Sequence, residues 1–171
     1  MMNPGKLKIT TQGDRAIVMT RDLNAPRRLV FDAFTKPELV KQWLLGPPGW
    51  SMPVCEIDLK VGGAYRYLWR RDSDGIEMGM GGVFREIVPH ERIVSTEVFD
   101  QAWYPGQAVG TFVFTERGGI TTITQTVLYD TREARDGVLK SDMESGVTAS
   151  YEKLAALVES LGATGTGAAK S

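Results

Sequence analysis

The chain has 171 residues, 42% of them hydrophobic, and its 20 Lys and Arg nearly balance its 21 Asp and Glu. This length and apolar content predict one globular domain, and the balanced charge argues against the basic surface that binds nucleic acid or anionic membranes. Cys55 is the only cysteine, which excludes an internal disulfide and a zinc site made of thiolates. The sequence shows neither the apolar run of a signal peptide nor one long enough to span a membrane, so we expect a soluble cytoplasmic protein.

The first part of the chain predicts a strand followed by two short helices. Residues 1–13 are expected to form an N-terminal extension, and residues 14–23 alternate in the manner of an outer strand. After Asn24, the expected helix cap, the apolar spacing becomes helical. Pro37 breaks this helix and starts a second one that ends near Trp43. A glycine- and proline-rich loop, LLGPPGWS, follows.

The middle of the chain predicts a meander of antiparallel strands. Its apolar residues recur with a period of two, and the short breaks KVGG, DSDG, PHE, AWYPGQ and RGG interrupt them. Together with the first strand, these runs give about seven strands. The predicted meander strands cover residues 53–59, 64–71, 77–88, 92–99, 109–116 and 121–129.

The last part of the chain predicts one long amphipathic helix over residues 133–161. Gly162 is expected to end it, and residues 162–171 are expected to form a flexible tail, which leaves residues 14–161 as a single domain. The fold class is therefore α+β, with a curved antiparallel sheet wrapped around this helix. The apolar stripe of the helix consists of Leu139, Met143, Val147, Ser150, Leu154, Leu157, Val158 and Leu161.

Four runs of the sequence resemble the SRPBCC superfamily, whose START-like domains have a helix-grip fold: PPGWSMPVCEIDLKVGGAYRYLWR, GVFREIVPHERIVSTEVFD, TFVFTERGGITTITQTVLY and EARDGVLKSDMESGVTASYEKL. Within it, the chain looks most like bacterial proteins similar to the C-terminal domain of the activator of heat shock protein 90 ATPase. The similarity covers about residues 17–161. It implies the helix-grip fold but leaves the function open, because the superfamily includes lipid carriers, hormone receptors and polyketide cyclases and dehydratases.

Gln125 departs from this family pattern, since relatives commonly carry an aliphatic residue at its position on the apolar strand face. A buried amide without a hydrogen-bond partner costs on the order of 1–3 kcal/mol. We therefore expect a side chain, a water molecule or a ligand to bond Gln125.

Three rings alternate with two arginines along one predicted strand: Tyr65, Tyr67 and Trp69 with Arg66 and Arg70. Alternation places the rings on the inner face of the sheet and the arginines in water. A platform that stacks nucleic-acid bases needs both on the same face, so this function is disfavoured. We expect the rings to divide between core packing and the lining of an apolar cavity.

Groups suited to catalysis or metal binding are few. His90, the only histidine, falls in a predicted surface turn, and one histidine with one cysteine does not make a metal site. Without an available histidine, no serine triad can be assembled. Glu97 shares an inward strand face, where it is either an acid of the cavity or, as we expect, the partner of an arginine on a neighbouring strand. No catalytic residue, metal or cofactor is predicted.

The sequence thus favours a domain that binds a small hydrophobic ligand, flat or lipid-like, without catalysis. One alternative is an enzyme similar to polyketide cyclases and dehydratases, which a buried acid with a shifted pKa would support. The other is a chaperone-regulating module, which the family resemblance implies and charged outward positions disfavour. Homodimerisation is left open.

Two tryptophans, Trp50 and Trp103, lie in loops where such folds open, and we expect them to gate entry. The predicted cavity residues are Trp43, Trp50, Tyr65, Tyr67, Trp69, Met80, Gln125, Met143 and Val147.

Overall fold

The computed structural model describes residues 6–100 and 106–170, with side chains described as far as residue 163. Eight strands and four helices lie within these residues. In chain order they are β1 (Lys8–Gln12), β2 (Ala16–Leu23), α1 (Arg27–Thr35), α2 (Pro37–Trp43), β3 (Trp50–Ile57), β4 (Ala64–Arg71), β5 (Glu77–Val88), β6 (Arg92–Phe99), β7 (Ala108–Arg117), β8 (Ile120–Leu128), α3 (Arg132–Lys140) and α4 (Met143–Lys170).

All eight strands form one curved antiparallel sheet in the order β1-β2-β8-β7-β6-β5-β4-β3. Strands β3 to β8 are a meander, in which each strand pairs with the next along the chain. β2 pairs with β8, from Ala16 opposite Leu128 to Leu23 opposite Thr121. The predicted α+β helix-grip architecture is confirmed, as are the two short helices after β2. The expectation that this strand is an outer one is wrong, because β2 lies between β1 and β8.

Strand β1 lies inside the segment that the sequence assigned to an N-terminal extension. It pairs with β2 from Lys8 opposite Thr20 to Gln12 opposite Ala16. Its sequence, KITTQ, is exposed except at Ile9, which is partly buried. An edge strand with so little burial has no clear apolar alternation, and this is why the sequence predicted seven strands instead of eight.

The predicted single C-terminal helix is in fact two helices. Thr131 caps α3, since its side chain accepts a hydrogen bond from the amide of Ala134, and α3 ends where Ser141 adopts an extended conformation. The break rotates the apolar stripe: Val138 is buried, whereas Leu139, which was expected inside, is exposed. The second helix, α4, continues to Lys170, so Gly162 does not end it.

Helices α1, α2 and α4 pack on the inner face of the sheet. Aromatic rings connect them: Phe34 of α1 lies 4.8 Å from Trp43 of α2 and 5.4 Å from Phe114 of β7, measured between ring centroids. The expected cap of α1 at Asn24 is wrong, because α1 begins after Pro26 and no side chain caps it.

Helix α3 packs at the other end of the sheet, beside β1 and β2. Its Arg135 is buried and donates hydrogen bonds from Nη1 to the carbonyl oxygens of Gly13 and Ala16, at 3.2 and 3.0 Å. These bonds fix α3 to the β1–β2 turn. The start of α4 is thereby held over the sheet.

Candidate functional site

A cavity of about 590 Å³ lies between the inner face of the sheet and α4. Most of the residues that line it are apolar, and they come from α1, α2, the loop after α2, α4 and most of the strands. Two lining residues, Pro47 of the α2–β3 loop and Asp142 just before α4, are exposed to solvent. They mark the mouth through which the cavity reaches the surface.

The three rings of β4 form one wall of this cavity. Tyr65 and Tyr67 have centroids 5.1 Å apart, and those of Tyr67 and Trp69 are 5.8 Å apart. The hydroxyl of Tyr65 donates to the carbonyl oxygen of Thr96 at 2.6 Å, while the indole nitrogen of Trp69 donates to the carbonyl oxygen of Leu44 at 2.7 Å. Both ends of the ring row are therefore anchored to the backbone.

The arginines that alternate with these rings point away from the cavity. Arg66 forms a two-point ion pair with Asp100, and Arg70 pairs with Glu77 at 2.7 Å, all partly or fully exposed. Rings and arginines thus lie on opposite faces of the sheet. This separation is the arrangement that the strand alternation predicted.

The structure brings all nine residues of the predicted cavity around this one space. They come from two helices and four strands, whereas Trp103, the second expected gate, lies outside the described residues. Contact of any of them with a ligand stays a prediction. The nine are Trp43 from α2, Trp50 from β3, Tyr65, Tyr67 and Trp69 from β4, Met80 from β5, Gln125 from β8, and Met143 and Val147 from α4.

Gln125 has a hydrogen-bond partner inside the cavity wall. The hydroxyl of Tyr151, a buried residue of α4, donates to its Oε1 at 2.8 Å. The Tyr151 ring in turn packs edge-on against Trp43, with centroids 6.0 Å apart. This bond joins the helix to the sheet across the cavity.

Glu97 lines the cavity, although the nine predicted cavity residues did not include it. We expected it to pair with an arginine of a neighbouring strand, which is wrong: within residues 6–100 and 106–170 it has no ion pair and no hydrogen bond. Instead it lines the cavity, with its carboxylate over Gly110 of β7, where a Cβ atom would lie 2.3 Å from Oε2. Its position on one strand face with Ile93, Ser95 and Phe99 was the available signal.

Burial determines the protonation of Glu97. Its carboxyl group lies in the largely apolar cavity wall, and burial there raises the pKa of this group to about 7. Burial also raises the pKa of Tyr67 and of Tyr151, with the nearby Glu97 charge as a smaller cause in both. Together with Gln125, these residues form what we call the polar patch: Tyr67, Glu97, Gln125 and Tyr151.

The remaining reactive side chains do not join the polar patch. Burial raises the pKa of the Cys55 thiol to about 11, so that the thiol is protonated at neutral pH. His90 is exposed in the β5–β6 turn, where its ring packs edge-on against Phe31 at 5.3 Å. In the described part of the chain, no group of three or more His, Cys, Asp or Glu side chains could hold a metal ion. Nor is any helix there long and apolar enough to cross a membrane.

Solved bacterial structures share this fold over nearly the whole chain. A Rhodobacter sphaeroides protein is 26% identical, with a TM-score of 0.85 over 91% of this chain and 99% of its own. A Chromobacterium violaceum protein is 31% identical, with a TM-score of 0.72 over 84% of this chain and 97% of its own. An AHSA1-like protein from Aeromonas hydrophila, 16% identical, has a TM-score of 0.65 over 85% and 94% of the two chains and supports the fold alone. No curated protein matches the sequence.

A family model identifies the sequence relationship directly. The model described as "Activator of Hsp90 ATPase homolog 1-like protein" matches residues 24–159, which include every cavity residue named above. The resemblance to the SRPBCC superfamily is confirmed, and this fold supports a ligand-binding domain in general. The chain belongs to the family of activator of Hsp90 ATPase homolog 1-like proteins.

Proposed function

We propose that the domain binds a small hydrophobic molecule, flat or lipid-like, in the cavity between the sheet and α4. The observation that carries this proposal is an apolar cavity of about 590 Å³ that reaches the surface between Pro47 and Asp142. Small-molecule sites are typically concave, apolar and roughly 300–1,000 Å³ in volume, with a few polar groups that orient the ligand. The polar patch supplies such groups.

The walls of the cavity are held in place without a ligand. The indole nitrogen of Trp43 donates to the carbonyl oxygen of Ala33 at 2.8 Å, and that of Trp69 donates to the loop at Leu44. Two large rings of the wall are thus fixed by hydrogen bonds to the backbone. A preformed site of this kind loses little conformational entropy when a ligand enters, which favours binding.

The glycine at position 146 of α4 allows a direct test. A Cβ atom there would lie 3.6 Å from Cδ of Pro47, so the larger side chain of Gly146→Leu would fill the mouth of the cavity. Gly137→Leu in α3 is the matched control, because no atom lies within 4 Å of a Cβ at that position and both changes replace a helical glycine.

The neutral dye N-phenyl-1-naphthylamine, whose fluorescence rises in apolar surroundings, serves as the probe. We expect the unchanged chain and Gly137→Leu to bind it alike, and Gly146→Leu to bind it at least about tenfold more weakly. Absence of dye binding to the unchanged chain, or equal binding by the two variants, would contradict the proposal. Native mass spectrometry of freshly purified protein would also report a retained compound.

Glu97 favours one second candidate, an enzyme that removes a proton next to a carbonyl group. A buried acid with a pKa of about 7 is suited to general acid–base catalysis near neutral pH, which typically contributes about 10²–10⁴-fold in rate. NMR would follow deuterium exchange of the methyl protons of 1-acetonaphthone in D₂O. An enzyme should accelerate this exchange, and Glu97→Gln should abolish the acceleration; exchange equal to that without protein rules the candidate out for this class of ketone.

A further inference from the structure

The cavity has acidic side chains but no basic ones. Glu97 and Asp142 line it, whereas no Lys, Arg or His is among the lining residues that the structure describes. Residues 101–105, with the sequence QAWYP, contain no basic residue either. A carboxylate or phosphate on the ligand would therefore meet negative charge without a compensating cation.

The arginine that acts on the polar patch is already engaged. Arg21 of β2 is buried and acts electrostatically on Tyr151, but its guanidinium donates to Glu152 at 2.9 Å. It is not among the residues that line the cavity. Among the residues that the structure describes, Glu97 is thus an acid at the wall of an apolar cavity without a cation beside it. A buried carboxylate in this situation gains most from a partner of opposite charge.

We propose that the cavity selects apolar molecules that carry a protonated basic nitrogen, and that this nitrogen pairs with the carboxylate of Glu97 between Tyr67 and Tyr151. This inference rests on the proposed function and specifies its ligand class. Faces of aromatic rings attract cations, so Tyr67, Tyr151 and the neighbouring indoles suit an ammonium group in addition to an apolar body. The negative charges of Glu97 and Asp142 exclude fatty acids and other anionic lipids from the cavity.

The ion pair couples binding to a proton. The Glu97 charge acts on Tyr67 of β4 and Tyr151 of α4, whose pKa values are raised so that both are neutral at physiological pH. Asp142 lies at the exposed mouth of the cavity. Glu97 with its pKa of about 7 must lose its proton to pair with an ammonium group. The affinity for an amine should therefore rise by up to tenfold per pH unit below pH 7 and become constant above it.

Three probes of nearly equal shape separate this proposal from general apolar binding. They are 2-(1-naphthyl)ethylamine, 2-(1-naphthyl)ethanol and 1-naphthaleneacetate, each measured by displacement of N-phenyl-1-naphthylamine at pH 6, 7 and 8. For the unchanged chain at pH 8, we expect the amine to bind at least about tenfold more tightly than the alcohol and the carboxylate to bind weakest. Only the amine should gain affinity from pH 6 to pH 8.

Glu97→Gln keeps the shape of the side chain and removes its charge. In this variant the affinity for the amine should fall to within about threefold of the affinity for the alcohol. If the alcohol binds the unchanged chain and the amine binds no better, or without the pH dependence, the inference is overturned while the proposed function stands. If the dye binds but none of the three probes displaces it, the inference is overturned while the proposed function stands. If the dye itself does not bind, both are overturned. The pH dependence needs no variant, so the test does not depend on how well Glu97→Gln folds.

Discussion

The carboxylate of Glu97 on β6 lies over Gly110 on β7, so close that a Cβ atom at position 110 would come within 2.3 Å of Oε2. The atom in the way belongs to the end of a flexible side chain, which can rotate aside. Gly82 on β5 is different, since a Cβ there would lie 1.9 Å from the main-chain oxygen of Thr96. Two glycines on the inner face therefore make room for different kinds of atoms.

This difference predicts the outcome of two alanine substitutions. Gly110→Ala should lower the free energy of unfolding by less than about 1 kcal/mol, whereas Gly82→Ala has to displace a paired strand and should cost about 2–3 kcal/mol, the upper part of the usual range for overpacking. Urea denaturation of both variants measures this. Equal losses would mean that the Glu97 side chain is as rigidly held as the backbone.

Glu97 should make the stability of the fold depend on pH. Its pKa of about 7 in the folded chain exceeds its ordinary value of 4.5, so the folded state holds this proton more tightly than the unfolded chain does. The stabilising effect of protonation is complete below pH 4.5 and is lost as the pH rises to about 7, by up to about 3 kcal/mol at 1.36 kcal/mol per unit.

Comparison with Glu97→Gln isolates this effect from all other titrating groups. At pH 8 the variant should be more stable than the unchanged chain by about 2–3 kcal/mol, and near pH 4 the two should be equal. Thermal or urea unfolding across this range gives the difference. A difference that does not vary with pH would show that Glu97 is solvated.

The hydrogen bond between Tyr151 and Gln125 should contribute measurably to stability. Tyr151→Phe removes the donor and should cost about 1 kcal/mol, while Gln125→Leu leaves a buried hydroxyl without a partner and should cost about 1–3 kcal/mol. Because each change breaks the same bond, the double variant should lose about 1 kcal/mol less than the sum of the two. Strict additivity would show that the bond does not form in solution.

Two of the indoles in the cavity wall, those of Trp43 and Trp69, should differ in their effect on stability. Trp43 is 2% exposed and packs on Phe34 and Tyr151, so Trp43→Ala should cost about 3–5 kcal/mol. Trp69 is partly exposed to the cavity, and Trp69→Ala should cost less than about 3 kcal/mol because much of its surface has no packed neighbour. Urea unfolding of both compares them. A loss at Trp69 as large as that at Trp43 would place Trp69 in a filled core.

The strand boundaries were the part of the fold most accessible from the sequence. Strands β4, β5 and β6 have the bounds that the alternation predicted, residues 64–71, 77–88 and 92–99. Glycine, proline and aspartate mark each break between them, so local chemistry alone sets where these strands end. The same alternation put the three rings of β4 on the cavity side.

Features that depend on helix caps or on contacts between distant parts of the chain could not be predicted from the local sequence. The helical spacing of the apolar residues continues through Ser141, so it does not reveal the break between α3 and α4. The break is made by a local cap, in which the hydroxyl of Ser141 donates to the carbonyl oxygen of Val138. The prediction that Glu97 pairs with an arginine was wrong because the strand register decides which residue lies opposite Glu97. On β7 that residue is Ala108, and no property of Glu97 itself reveals this.

The pairing of β2 with β8 has a consequence for how the chain folds. These two strands come from opposite ends of the domain, yet they are neighbours in the sheet, with Ala16 opposite Leu128. Closing so long a loop is entropically costly, and folds rich in such distant pairs acquire their structure slowly. During synthesis, the edge of β2 that pairs with β8 therefore stays unpaired until β8 has left the ribosome.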